Sequence, residues 1–375
     1  MKIIFVHTSL SVGGAEVLRN TVARELLALK MDFRICLLSS EGVLGKKLRE
    51  AGANVDVLKI SNSIYKWRST LALKKYLEYQ QPDIVQSSQF NSNFHTRIAA
   101  KLAGVPVVIC EEHGLYYWKR WWHRLADRLL IRWCDQIIAV SEAVKDFNIN
   151  QIGISAEKKI EVLLNCIDTD QFQSVQQGER NRVRHALGVA ENDFIFGHVG
   201  TLRHEKGHDI LLHAFAALRK RDNAKLLLVG DGPLRSQLLA LSRELNLVSD
   251  VIFCGSRNDI SAILSAMDCF VFPSRNEALG IALLEAMYSG LPVIAADTGG
   301  IPEIVTNRET GILVSCENSA LLAAVMDELY RNDTLRLQLG YTSKKYVAQY
   351  HNPVCYVERL LALYDQLSCK KKSTK

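Results

Sequence analysis

Along this chain, short runs of β-branched and other apolar residues end in turn residues and alternate with longer stretches whose apolar positions recur every three to four residues. In the first half the runs are 2–7, 33–39, 54–60, 83–88, 106–113, 136–141 and 160–165, with helical stretches such as 15–29 and 121–133 between them. A polar stretch, 173–193, interrupts the alternation and is expected to be a linker. The pattern then resumes with runs at 194–200, 224–230, 251–255, 269–274, 292–297 and 311–315. Alternation of this kind predicts α/β architecture, with two Rossmann-like parallel sheets built from βαβ units. The expected division is 1–180 and 181–345, followed by a C-terminal helix, 346–368, packing back on the first domain, and a solvated tail, 369–375. Pro353, inside an amphipathic stretch over 341–367, predicts a kink or a restart. Ligands of doubly wound sheets bind at the carboxyl ends of the strands, so functional residues are expected just after strands, facing a cleft between the domains.

Composition narrows the class. At 375 residues, 48% hydrophobic and 23% charged, the chain suits two ordinary globular cores. Only four apolar residues, Ile3 to Val6, precede His7, short of the roughly 7 to 15 of a secretory signal, and no run approaches the roughly 18 of a membrane span. A cytoplasmic protein is expected, with membrane contact confined to its surface. Nine scattered cysteines without a C-x-x-C pair read as reduced thiols and argue against zinc or a disulfide frame. The net charge of +6 is concentrated in residues 1–180, where 24 lysines and arginines face 19 acidic residues, against 22 and 21 in the remainder. That excess is too mild for nucleic acid and suits an anionic lipid surface or a phosphorylated acceptor.

The richest chemistry lies in 272–303, FPSRNEALGIALLEAMYSGLPVIAADTGGIPE. Residues 273–279 read as a loop and 280–289 as a helix, whose first amides have no internal partner and favour an anion. Glu277 and Glu285 are eight residues apart, about 12 Å on one continuous helix, too far to share a proton. Two readings stand: carboxylates gripping the sugar and ribose ends of one extended ligand, or surface glutamates flanking a core helix. Arg203 and Lys206, after a strand and a glycine turn, either hold a diphosphate or form an ordinary basic loop. Gly232 lies in VGDGP, a glycine turn that does not match the dinucleotide-binding G-x-G-x-x-G.

In the first half, Gly13 and Gly14 sit between the first strand and first helix, as a loop bordering a phosphate or as a tight turn. His113 closes a strand and precedes a glycine, as a ligand contact or a structural histidine. Segment 116–133 interleaves aromatics with Lys119, Arg120, Arg124, Arg128 and Arg132; it fits a lipid–water interface or a packed helix with a solvated basic face.

As an ordered set, these segments resemble glycosyltransferase family 4 of the GT-B superfamily over nearly the whole chain. The resemblance rests on GGAE (13–16), His113, NCID (165–168), GTLRHEKG (200–207), VGDGP (229–233), Pro273-Ser274, the Glu277/Glu285 spacing and the 290–303 segment. It implies the GT-B fold and retaining transfer from a nucleotide-diphosphate sugar, a uracil nucleotide by preference, with the sugar nucleotide as substrate and no metal or cofactor. It further implies that Arg203 and Lys206 stabilise the departing diphosphate, Glu285 holds the ribose, and Glu277 contacts sugar hydroxyls. His113 would touch the sugar, and Gly13 and Gly14 would border diphosphate and acceptor. Gly232, Leu279 and Gly280 join the donor set. Where the family commonly shows EGFG, this chain has Glu277-Ala278-Leu279-Gly280, so the sugar-reading pocket is altered. The GGAE opening and the basic aromatic first half are similar to bacterial enzymes extending lipid-linked surface polysaccharide or lipopolysaccharide, which implies a lipid-linked acceptor at the inner face of the cytoplasmic membrane. A sugar-nucleotide epimerase of the same architecture and a non-catalytic nucleotide-sugar-binding relative stay open beside it.

Overall fold

The computed structural model describes all residues except 12, 61–65, 174–177, 219–222 and 374–375, together with the backbone alone of 154–156, 173 and 372–373. The chain divides into two compact units, Met1–Ile167 with Pro353–Lys375, and Asp168–Asn352.

The first unit is built on β1 (Ile3–Ser9), β2 (Phe33–Ser40), β3 (Asn54–Val57), β4 (Ile84–Ser88), β5 (Val107–Glu112), β6 (Gln136–Ala139) and β7 (Ile160–Val162). These pair in parallel in the order β3-β2-β1-β4-β5-β6-β7. Successive side chains of a strand face opposite sides, and both sides of this sheet are apolar. Ile3, Phe5, Ile35, Leu37, Val107 and Ile109 pack into one core, and Ile4, Val6, Cys36, Leu38, Val85 and Val108 into another. That double burial is why the strands read as continuous apolar runs.

The second unit holds β8 (Phe194–Val199), β9 (Ala224–Val229), β10 (Val251–Gly255), β11 (Cys269–Phe272), β12 (Val293–Ala296) and β13 (Ile312–Val314). They form a parallel sheet in the order β10-β9-β8-β11-β12-β13. In each sheet the chain starts near the middle, runs to one edge, returns and builds the other, so a topological switch point lies beside β1 and beside β8.

Three sequence expectations change. The stretch 173–193 is not wholly a linker: it contains the helix Glu179–Ala186, which belongs to the second unit. Arg184 donates to the carbonyls of Ala266, Glu191 and Asp193, and both Arg180 and Arg184 pair with Asp268 at 2.5 and 2.6 Å. The division therefore falls at 167/168 rather than 180/181; residues 174–177 lie outside the described set. At the other end the restart expected at Pro353 is present: Asp333–Tyr350 and Pro353–Ser373 are separate helices, with Pro353 at a first helical position, where its missing N–H costs nothing. The later helix adds Tyr356, Val357, Leu360, Leu363, Tyr364 and Leu367 to the first unit's core. It continues through most of the expected tail, and Lys371 pairs with Asp135 at 2.7 Å. Segment 121–133 is the helix Trp121–Leu130 followed by the 3₁₀ turn Ile131–Trp133.

Candidate functional site

In the second unit, the segments after β8 and β11 meet. The 3₁₀ turn His204–Lys206 leads through Gly207 into the helix His208–Ala216. Gly207 has φ +65°, and a Cβ there would strike the carbonyl of Pro273, so glycine lets the two loops close. Arg275 fastens them: its guanidinium takes both oxygens of Asp209 at 2.8 and 2.7 Å, the His204 carbonyl at 3.0 Å and Glu317 at 3.0 Å. Its own N–H donates to the Glu205 carbonyl at 2.8 Å.

This clamp brings together two expected site residues 71 positions apart: Lys206 Nζ donates to Glu277 Oε2. Lys206 also lies 5.4 Å from the centre of the Phe272 ring, and both members of the pair stay partly accessible, at 23% and 14%. The Glu277 backbone is stitched to the 298–300 loop, since its carbonyl accepts from Gly300 N–H at 3.1 Å. Glu277 precedes the helix Ile281–Tyr288, so the helical rise considered between it and Glu285 does not apply. Gly280, at φ +102°, is the N-cap, a conformation that only glycine enters freely. Leu283 makes the first intrahelical bond, to the Gly280 carbonyl at 3.1 Å, so the amides ahead of it are the unpaired donors of a helix start. The Leu279 side chain is buried, which leaves its backbone to meet a ligand. Glu285, partly accessible on the same helix, has its carboxyl pushed up to about 8 by desolvation.

Arg203 is well exposed and only loosely paired, 3.9 Å from Glu205. Gly232 packs against the Leu202 backbone, where a Cβ would clash, and donates its N–H to Asp231 Oδ1 at 2.7 Å. Leu202 N–H bonds the Asp231 carbonyl at 3.0 Å and Leu234 N–H bonds the Leu202 carbonyl at 3.1 Å. The VGDGP turn thus holds the segment carrying Arg203. Beside Lys206 the buried rings of His198 and His208 meet edge to face at 4.6 Å. Burial, and then neighbouring positive or imidazole groups, hold both below the usual imidazole range, His208 at about 4, so this floor adds no cation.

In the first unit, Gly13 is the N-cap of the helix Gly14–Ala28, and Glu16 folds its carboxylate over it, held by Gln89 Nε2 at 2.9 Å. Gln89 has φ +71°, a strained backbone of the kind that gathers at ligand sites. Residue 12 of this loop lies outside the described set. His113 follows β5 and is anchored by Glu111 at 3.2 Å.

The aromatic and basic segment sorts into two groups. Lys119 is buried and paired with Asp127 at 2.9 Å, which also receives Arg97 at 2.7 Å, so Lys119 is not part of a surface. Tyr117, Trp118, Trp121, Leu125 and Leu129 are exposed, as are Arg120, Arg124, Arg128 and Arg132. Arg275, Gln89 and Glu111 escape sequence reasoning: the first lies inside the 272–303 segment, but its partners are up to 71 residues away.

Residues 179–346 match the family model "Glycosyl transferases group 1" and residues 12–171 match "Glycosyltransferase Family 4". The UDP-Gal:alpha-D-GlcNAc-diphosphoundecaprenol alpha-1,3-galactosyltransferase of Escherichia coli is 30% identical over 260 residues, 66% of either chain. The N-acetyl-alpha-D-glucosaminyl L-malate synthase of Bacillus anthracis is 29% identical over 233 residues, 60% of either chain. The match thus spans 54 to 66% of the length of the first curated relatives. Among solved structures, Anabaena Alr3699/HepE in complex with UDP and glucose superposes with a TM-score of 0.88 at 22% identity, over 98% of this chain and 100% of that one. WaaG, a glycosyltransferase involved in lipopolysaccharide biosynthesis, superposes with a TM-score of 0.73 at 18% identity, over 95% of this chain and 98% of that one.

Proposed function

The chain belongs to the glycosyltransferases of GT-B fold, and from that premise we propose that it moves a hexose or N-acetylhexosamine, with retention, from a UDP-sugar to a lipid-linked or glycan acceptor of bacterial surface polysaccharide. The observation that carries the reading is the Lys206–Glu277 pair held beside a helix start by the Arg275 clamp. A diphosphate binds where a cation and unpaired amides converge. Lys206, joined by the exposed Arg203, neutralises the charge that develops on the departing phosphate, and the Glu277 carboxylate beside it accepts from sugar hydroxyls. Glu285 takes the ribose: hydroxyls donating to its ionised form offset the desolvation that keeps it protonated in the free protein. The amides around Leu279 and Gly280, with Gly232 behind Arg203, complete the donor side. His113, Gly13 and Gly14 serve sugar and acceptor from the first unit. The reading uses no metal and no cofactor.

A lipid-linked acceptor is supported by the galactosyltransferase relative and by the helix Trp121–Leu130. Its exposed Trp121, Leu125 and Leu129 alternate with Arg124 and Arg128, which suits an anionic bilayer surface. Among the described residues no helix is long and apolar enough to cross a membrane.

The test is release of nucleoside diphosphate from a panel of nucleotide sugars, with and without membrane lipid extract, for the wild type and Glu285→Ala. Release that requires one donor, rises with extract and vanishes in the variant is expected. Donor conversion without acceptor would replace transfer by epimerisation, and silence with every donor would leave only a binding protein.

A further inference from the structure

One side of the first unit carries cations and aromatic rings that the donor chemistry does not use. From β3 to β6 the chain crosses the sheet in a single direction. Right-handed crossovers then put the three intervening helices, Trp67–Gln80, Phe90–Ala103 and Trp121–Leu130, on the same side. Side-chain bonds set them next to one another: Thr70 Oγ1 and His95 Nδ1 are 2.8 Å apart, and Arg97 Nη1 donates to Asp127 Oδ1 at 2.7 Å. The inner sides of the first two helices, through Leu73, Leu77, Ala99 and Ala100, share one core with Val6, Val85 and Val108.

The outer side of this layer combines exposed rings with unpaired charge. Trp67, Leu71, Lys75 and Tyr79 follow at intervals of four and so share one side of their helix, as do Trp121, Leu125 and Leu129. Trp67, Tyr79 and Trp121 stand 66 to 84% exposed. Arg68, Lys75, Lys101, Arg124 and Arg128 are exposed beside them, and among the described residues none of the five forms an ion pair. The three helices contain only two acidic residues, and both are engaged: Glu78 by Lys74 at 2.6 Å, and Asp127 by Arg97 and Lys119. In the second unit, by contrast, Arg182, Arg257, Arg308 and Arg331 each hold a nearby carboxylate. Five unopposed cations make the layer attractive to an anionic partner. A soluble polyanion would answer the charges and leave the rings in water, whereas a bilayer answers both, with phosphates for the cations and the acyl boundary for the rings.

We propose that the whole three-helix layer docks on an anionic phospholipid bilayer, with the helix Trp67–Gln80 as a second line of contact beside Trp121–Leu130. The inference rests on the reading that Trp121–Leu130 meets such a surface. A single amphipathic helix fixes one line on a bilayer and leaves the protein free to roll about it. Two helices separated by a third define a plane, so the first unit is held in one orientation, with the carboxyl ends of its strands at one distance from the headgroups.

Co-sedimentation of the full-length protein with vesicles, of phosphatidylcholine alone or of equal parts phosphatidylcholine and phosphatidylglycerol, tests this. The wild type is expected to partition onto the anionic vesicles and to be released by high salt. Arg68→Gln/Lys75→Gln and Arg124→Gln/Arg128→Gln should each lower that partition by about 25-fold, about fivefold for each cation near an anionic surface. Trp67→Ser should lower it by about tenfold, the effect of returning an inserted ring to water. All five side chains are exposed, and an unmoved melting temperature verifies the fold of each variant. Arg243→Gln/Lys345→Gln, which removes two exposed cations from the second unit, should bind as the wild type does; an equal loss there would reduce the effect to net charge and overturn the proposal. Wild-type binding in Trp67→Ser overturns it too, since charge alone would then suffice. Loss confined to the Arg124/Arg128 variant overturns it while leaving the bilayer reading of Trp121–Leu130 in place, and a wild type indifferent to anionic lipid ends both.

Discussion

The Lys206–Glu277 pair of the second unit and the Arg19–Glu111 pair of the first use opposite charges in opposite ways. Lys206 and Glu277 remain at 23% and 14% exposure, and their approach is set by backbone bonds and the Arg275 clamp. Arg19 and Glu111 are both at 1%, and four donors converge on the carboxylate. A charge proposed to meet a ligand is kept near water, with its geometry supplied from behind. A charge that orients another side chain is withdrawn and surrounded. The first kind of pair can be broken with the fold intact, because water rehydrates the survivor; the second cannot, because the survivor stays in a medium that penalises it.

The largest expected effect follows from that asymmetry. Glu111→Ala strands Arg19, Ser88, Gln86 and His113 together and should destabilise the first unit by about 3–5 kcal/mol, read as the shift of its urea transition. Lys206→Ala should change stability by less than about 1 kcal/mol. Similar costs at the two positions would erase the distinction. Next in size is the activity effect with the order reversed: Lys206→Ala should lower kcat/KM by about 10²- to 10³-fold at an unmoved melting temperature. A loss under about threefold would show that the exposed Arg203 alone serves the diphosphate.

How much of this was legible in the sequence depends on how far each partner lies along the chain. All thirteen strands among the described residues announced themselves, because a sheet covered on both faces makes most of its strands near-continuous apolar runs. The ERNRVRHA helix was read as linker because its order comes from Arg180 and Arg184 reaching Asp268, 88 and 84 residues on, which no local window contains. Motif spacing pointed to Lys206 and Glu277 but not to their pairing across 71 residues. Glu111 was hidden inside a strand, since its partners come from positions 19, 86 and 88. The aromatic and basic segment was legible as amphipathic, yet Lys119 fell on its buried side, because Asp127 and Arg97 meet it there.

The clamp gives a smaller and more diagnostic effect. Arg275→Ala should reduce kcat/KM about tenfold, since a slight misplacement of positioned groups is costly, and Arg275→Lys should recover little, because a lysine cannot take both Asp209 oxygens and the His204 carbonyl in one plane. Full recovery by lysine would mean that charge, and not the fork geometry, aligns the two loops.

The smallest effect separates the two units by pH alone. Desolvation raises the Glu285 carboxyl from the usual 4.5 to about 8, while the Glu111 carboxyl is lowered. For Glu285 the unfolded chain ionises first, so its contribution to stability is complete below about 4.5 and is lost as pH climbs to about 8. For Glu111 the folded state ionises first, so its contribution is present above about 4.5 and disappears only in acid. Glutamine at 285 carries no charge to desolvate, so Glu285→Gln should match the wild type near pH 4.5 and melt higher at pH 8.5, each kcal/mol of relieved desolvation raising the midpoint by about 2–4 °C in a unit of this size. UDP binding should act on the same proton: ribose hydroxyls favour the ionised carboxylate, so calorimetry at pH 7 in buffers of different ionisation enthalpy should register proton release in the wild type and none in the variant. A melting difference independent of pH, or proton release that persists without the carboxyl, would take Glu285 out of the ligand's reach and leave Lys206 and Glu277 as the working charges of the second unit.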